Sequence, residues 1–142
     1  MDRQRMAAAA LAAALLFAAL TDYVPQFRDA SGKVFGLFAL DIYKDALHVA
    51  SGAWAAVAAL TSRRASEAFL QIFGVLYLAD GIMGCFTGSG FLDLSIITEG
   101  VRNVPPIIKV LSSLPHVLLG LFAVWFGWAK GWPGGPEEIE AT

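Results

Sequence analysis

The sequence holds two histidines, and each opens the same phrase. His48-Val49-Ala50-Ser51-Gly52 and His116-Val117-Leu118-Leu119-Gly120 both read His-Val-x-x-Gly at the head of an apolar run. An earlier apolar run with one acid near its end precedes each copy, Leu20-Thr21-Asp22 and Leu78-Ala79-Asp80. Imidazole titrates near neutral pH, so an imidazole beside a carboxylate can relay a proton or line a small-molecule cavity. Two imidazoles on facing helices could hold a haem, and with Asp22 and Asp80 added they could form a His₂Asp site for a divalent metal such as zinc. A plainer outcome needs no ligand. An ionisable group inside a bilayer costs about 2.5–3.5 kcal/mol on insertion scales and turns inward to a partner. The acids and histidines are therefore expected to bond to one another and to loop backbone, pinning helices together.

Other chemistry has little support. The chain has no Ser-His-Asp context, no glycine-rich phosphate loop and no His-Glu-x-x-His. Its single cysteine, Cys85, cannot form a pair within one chain and reads as a small packing residue. Tyr77 and Gln71 read as hydrogen bonders between helices. The expectation is a protein that is not an enzyme.

The elements that must position these residues are membrane spans. Of 142 residues, 57% are hydrophobic and 15% charged, against about 45–50% and 25% for soluble domains. The length allows four spans of about 20 residues in one domain covering residues 1–142. A net charge of −2 without a basic cluster argues against nucleic acid.

The expected helices are residues 6–24, 46–61, 68–86 and 114–130. A basic start before a short apolar run also fits a secretory signal peptide, but Leu20, Asp22 and Tyr23 crowd the candidate cleavage positions. Pro25 ends the first helix. The apolar segment 34–40 is too short to span and belongs on the membrane surface or folded back against the helices. Ser51 and Gly52 with nearby alanines, then Gly74, Gly81 and Gly84, and finally Gly120, supply small faces for close helix packing. Residues 61–67 form a basic turn. Tandem prolines at 105–106 bar an ordinary helix through them but leave room for short interfacial helices on either side, and Pro115 is expected in the first turn of the fourth helix. Trp125, Trp128, Lys130 and Trp132 form an interfacial anchor. The acidic tail, 133–142, is expected to be flexible.

With four spans, both termini and the 61–67 turn share one side, carrying Arg3, Arg5, Arg63, Arg64 and Lys130. The long connections carry Arg28, Lys33, Lys44, Arg102 and Lys109 over about twice the length. The positive-inside rule then favours cytoplasmic termini. His48 and His116 would enter the membrane from the opposite side, with Asp80 about 9 Å deep at 1.5 Å per residue.

The segment from Val34 through Gly52, the phrase Ile72-Phe-Gly-Val-Leu-Tyr77 and Leu114-Pro-His-Val-Leu-Leu-Gly120 resemble a family of small, uncharacterised bacterial four-helix membrane proteins. That family shows a Gly-Leu-Phe phrase leading to Asn-x-x-His-x-x-x-Gly, and a second His-x-x-x-Gly at the fourth helix. Here Asp45 stands where asparagine is usual, and the second connection is longer. The resemblance implies fold and topology and carries no known activity. The combined expectation is an all-α integral membrane four-helix bundle made of two tandem hairpins, an internal repeat, in the bacterial inner membrane. Its expected role is an accessory or scaffold subunit packing against a larger membrane protein or itself, with no cofactor. The alternative is a haem- or metal-binding protein using His48 and His116 with Asp80.

Overall fold

The computed structural model describes residues 2–129. These are all-helical, with no strand among them: α1 (Arg3–Thr21), α2 (Ile42–Thr61), α3 (Arg63–Thr87), the short α4 (Ser95–Thr98) and α5 (Pro106–Trp128). A single 3-10 turn, Pro25–Phe27, follows α1. The expected anchor residues Lys130 and Trp132 and the tail 133–142 lie outside the described residues.

Side chains outside the apolar runs move the helix starts. The Asp2 carboxylate accepts the Arg5 N–H at 2.9 Å and starts α1 at Arg3. Asp41 does the same for the Lys44 N–H at 2.9 Å, so α2 begins four residues before the expected 46. A capping oxygen satisfies one of the donors that a helix start leaves orphaned, which is worth about 1 kcal/mol. Ser62 is at once the C-cap of α2 and the N-cap of α3. The expected seven-residue turn therefore shrinks to one residue. At its other end α1 stops at Thr21 rather than 24, with Asp22 as C-cap.

The largest correction concerns the last helix. It opens at Pro106, not near 114, and Pro115 lies inside it. Pro105 stays extended (φ −54°, ψ 145°) while Pro106 takes the first-turn place where a missing N–H costs nothing. The tandem prolines thus begin a helix instead of excluding one. Pro115 withholds the N–H that the Leu111 carbonyl would otherwise accept.

The long helices pack as two antiparallel pairs, α1 with α2 and α3 with α5, and α3 also touches α1 and α2. In the second pair, glycines bring backbones together. A Cβ on Gly120 would lie 2.5 Å from the Leu78 nitrogen, on Gly81 2.7 Å from the Val117 nitrogen, and on Gly74 2.7 Å from the Val124 nitrogen. Gly84 faces Ser113 in the same seam. In the first pair Gly52 meets only the side chains of Leu15 and Leu16, and alanines such as Ala8 and Ala55 fill the rest. Between the pairs lies an aromatic ladder on α3, with Phe73 and Tyr77 stacked at 3.9 Å between ring centroids and Phe69 5.0 Å from Phe73. All three rings are buried, and side chains of this size dominate core energetics. Gln71 donates to the Gly127 carbonyl at 2.8 Å, the interhelical role expected of it.

Helices α1, α3 and α5 are long and apolar enough to cross a membrane. α2 is absent from that set, since Lys44, Asp45 and His48 dilute its N-terminal half.

Candidate functional site: an imidazole–carboxylate cluster beside a cavity

Asp80 sits seven residues before the end of α3 and is buried. Its Oδ2 lies 2.5 Å from Nδ1 of His116, which projects from α5 one residue after Pro115. Its Oδ1 accepts the backbone N–H groups of Phe91 at 2.8 Å and Leu92 at 2.9 Å. The chain can close over the carboxylate because Gly88 ends α3 in the left-handed region (φ 76°), where glycine carries no Cβ penalty. Gly90 then passes so close that a Cβ there would run into the Asp80 carboxylate. A buried carboxylate with three donors is well compensated.

His48 completes the cluster from α2. Its ring meets that of His116 edge-on at 5.8 Å between centroids, and Tyr77 lies 4.8 Å from His116. The Tyr77 hydroxyl donates to Ser51 Oγ at 3.0 Å, so Ser51 binds across helices rather than only making room. The structure thus brings Asp80, His48 and His116 together, as the repeated phrase suggested.

Asp22 is not with them. At the end of α1 it lies against the Asp45 carboxyl in the first turn of α2, with Arg28 3.9 Å away. Oδ1 of each acid is buried without a hydrogen-bond partner. Burial, with Asp22 acting in the same direction, pushes the Asp45 carboxyl up to about 6. Among the described residues no three His, Cys, Asp or Glu side chains are spaced to hold a metal ion. Asp22 meets Asp45 and Arg28, whereas Asp80 meets His116.

Beside the imidazoles lies a cavity of about 240 Å³. Phe17, Leu37, Phe38 and Leu119 form apolar walls, while Lys44, His48, Asp80 and His116 line the polar part. Residues of the 34–40 segment line it, and bridges from Val34 to Arg28 and to Phe38 fold that connection on itself. The sequence reading missed the ionic rim. Lys44 Nζ lies 3.0 Å from Asp41, 3.7 Å from Asp93 and 3.7 Å from Glu99, and Arg102 reaches Glu99 at 4.0 Å. Asp93 is further fixed by Ser95, whose hydroxyl and N–H donate to it at 2.7 and 3.0 Å. The Asp-x-Ser spacing is a local turn signal. The convergence of Asp93 on Lys44 from 49 positions away leaves no such mark.

No curated protein and no solved structure matches this chain. A family model does, over residues 5–129, from the first turn of α1 to the residue that caps α5. That span takes in the paired helices, the cluster and the cavity together. The chain belongs to the family described as a domain of unknown function, DUF4383.

Proposed function

We propose that this is an integral membrane protein of non-enzymatic type that holds a small molecule in the cavity beside His48 and His116. On this reading four helices span the bacterial inner membrane as two tandem hairpins, with residues 46–61 as the spanning part of α2 and both termini cytoplasmic. The outward faces support embedding. α5 is the most apolar helix, yet only 11% of its apolar stretch is buried, and Leu118, Leu121 and Trp125 are exposed. Apolar surface on that scale marks a lipid or protein contact. α2 spans in the company of the others, its His48 and Ser51 turned inward.

The cavity carries the assignment of role. It combines apolar walls with a few fixed polar groups, the usual character of a small-molecule site. A second reading, an accessory or scaffold subunit, draws on the exposed row Trp54, Val57 and Leu60 along α2, which a neighbouring membrane protein or a second copy could cover. Native mass spectrometry of protein extracted in mild detergent separates the two. A bound non-protein mass that an Ala39→Trp change at the cavity rim displaces supports the cavity reading. Co-purifying membrane subunits without such a mass favour the accessory role. A Soret band or stoichiometric metal would move the assignment to ligation by His48 and His116.

A further inference from the structure

Each histidine has one ring nitrogen turned away from the cavity. His116 spends Nδ1 on the Asp80 carboxylate, and Nδ1 of His48, a residue only 8% exposed, has no open surface. Both rings line the cavity. Among the described residues, the two Nε2 atoms keep open surface and bond to nothing within the protein. Nε2 is therefore the atom that each ring presents to a guest. For His116 its character is fixed as well. Asp80 already accepts two backbone N–H groups, so it acts as a carboxylate, and its bond to His116 assigns the proton to Nδ1. A hydrogen bond at one ring nitrogen sets the tautomer. The neutral ring is left with a bare lone pair at Nε2, which calls for a donor.

The surroundings say which donor. At the cavity and its rim four carboxylates, Asp41, Asp80, Asp93 and Glu99, stand against two cations, Lys44 and Arg102. Lys44 registers the imbalance. Burial alone would lower its ammonium, yet Asp41, Asp93 and Glu99 hold it above the ordinary lysine value. A cleft with an excess of one sign of charge concentrates the other. An added ammonium brings the rim nearer neutrality and breaks no existing pair. An anion enlarges the excess, and a neutral hydroxyl leaves it as it stands. The size fits as well, since 240 Å³ is about eight waters' share of liquid volume, room for a two-ring body.

We infer that the cavity takes a lipophilic primary or secondary amine in its ammonium form. It donates an N–H to Nε2 of His116, with Nε2 of His48 beside it, and its apolar body lies between Phe17, Leu37, Phe38 and Leu119. This rests on the cavity reading above. Three probes of matched bulk test it by equilibrium dialysis at pH 8, where free imidazole is uncharged: 2-naphthylmethylammonium, 2-naphthylmethanol and 2-naphthoate. The full chain is used in phosphatidylcholine nanodiscs, and the Ala39→Trp variant gives the contribution of bilayer partitioning. Ala39 is an exposed rim residue, so its replacement leaves helix packing alone. The chain holds just two histidines, so nitrogen NMR of histidine-labelled protein reads both rings during the titration.

The expected result is Ala39→Trp-sensitive binding of the ammonium, with the alcohol and the carboxylate at least tenfold weaker. The Nε2 signal of His116 should move as the ammonium binds. Glu99→Gln, at a part-exposed side chain, should weaken the ammonium about threefold and leave the alcohol unchanged. Equal or tighter binding of the alcohol or the carboxylate overturns the ligand class while leaving the cavity reading intact. An ammonium that binds without moving His116 Nε2, or whose affinity survives Glu99→Gln unchanged, overturns the headgroup placement. Absence of Ala39→Trp-sensitive binding for all three probes removes the cavity reading itself.

Discussion

Asp22 and Asp80 hold the same place in two copies of one phrase, yet only the second finds its histidine. The cause is axial position. α3 continues seven residues past Asp80, so its carboxylate lies about 10 Å inside the helix end, level with a histidine on α5. α1 stops before Asp22, leaving that acid at the rim beside Asp45. The packing differs in parallel. The α3–α5 seam sets backbone against backbone through glycine, whereas α1–α2 meets through leucine and alanine side chains. A repeated motif therefore fixes which residues are present, and the length of helix beyond them decides which partner they meet.

Removing the two acids should expose this difference most sharply. Asp80→Ala strips His116 of its partner and orphans two buried N–H groups, for an expected loss of about 3–5 kcal/mol, the usual cost of breaking a buried pair. Asp22→Ala removes a looser, part-exposed contact to Arg28 and should cost under about 1 kcal/mol. Denaturant unfolding in detergent reads both, and comparable losses would mean the two copies are equally tied down.

The seams come next. Gly120→Ala drives a Cβ into the Leu78 backbone and should cost near the top of the ~1–3 kcal/mol range for overpacking. Gly52→Ala meets a movable Leu16 side chain and should fall near the bottom. Equal thermal shifts for the pair would contradict the backbone-contact account.

The smallest effect is one of pH. Because the Asp45 carboxyl is raised to about 6 in the folded state from an ordinary 3.8, its protonated form is the one folding favours. That contribution is complete below about 3.8 and is lost as pH rises through about 6. Stability should accordingly increase as pH falls from 7 to 5. Asp45→Asn should flatten the slope and raise the melting temperature at pH 7. A slope that persists in Asp45→Asn would place the titrating group elsewhere.

Much of this organisation was legible in the sequence. The apolar runs located the four long helices, and the His-Val-x-x-Gly repeat put His48 and His116 at the same end of the bundle, because two helices separated by one hairpin run the same way; helix rotation, which decides whether they meet, is not written in the spacing. Gly74, Gly81 and Gly84 marked the close seam through their spacing. The helix ends were harder to read. Apolar periodicity fades over the polar turns where Asp41 and Ser62 act as caps, so it marks the helix starts four or five residues late. Pro115 drew the last helix toward itself, although Pro106 offered the same first-turn chemistry nine positions earlier. The repeat equates Asp22 with Asp80 and so groups it with the histidines, and nothing local shows that α1 ends one residue too soon. The ionic rim of Lys44, Asp93, Glu99 and Arg102 is a product of tertiary convergence, invisible to any window along the chain.

The one-residue joint at Ser62 has a mechanical meaning. Around it, Ser66 bonds to the Ala58 carbonyl at 3.0 Å, Arg5 to the Ala59 carbonyl at 2.7 Å and Gln4 to the Ala129 carbonyl at 3.4 Å. This end of the molecule is stapled to all four long helices, with no slack in its shortest link. The long connections, 22–41 and 88–105, both lie at the opposite end. The two ends are therefore tied by different means, helix backbone carbonyls near Ser62 and the ion pairs of Lys44 with Asp93 and Glu99 near the imidazoles, and only the second set is open to salt and pH.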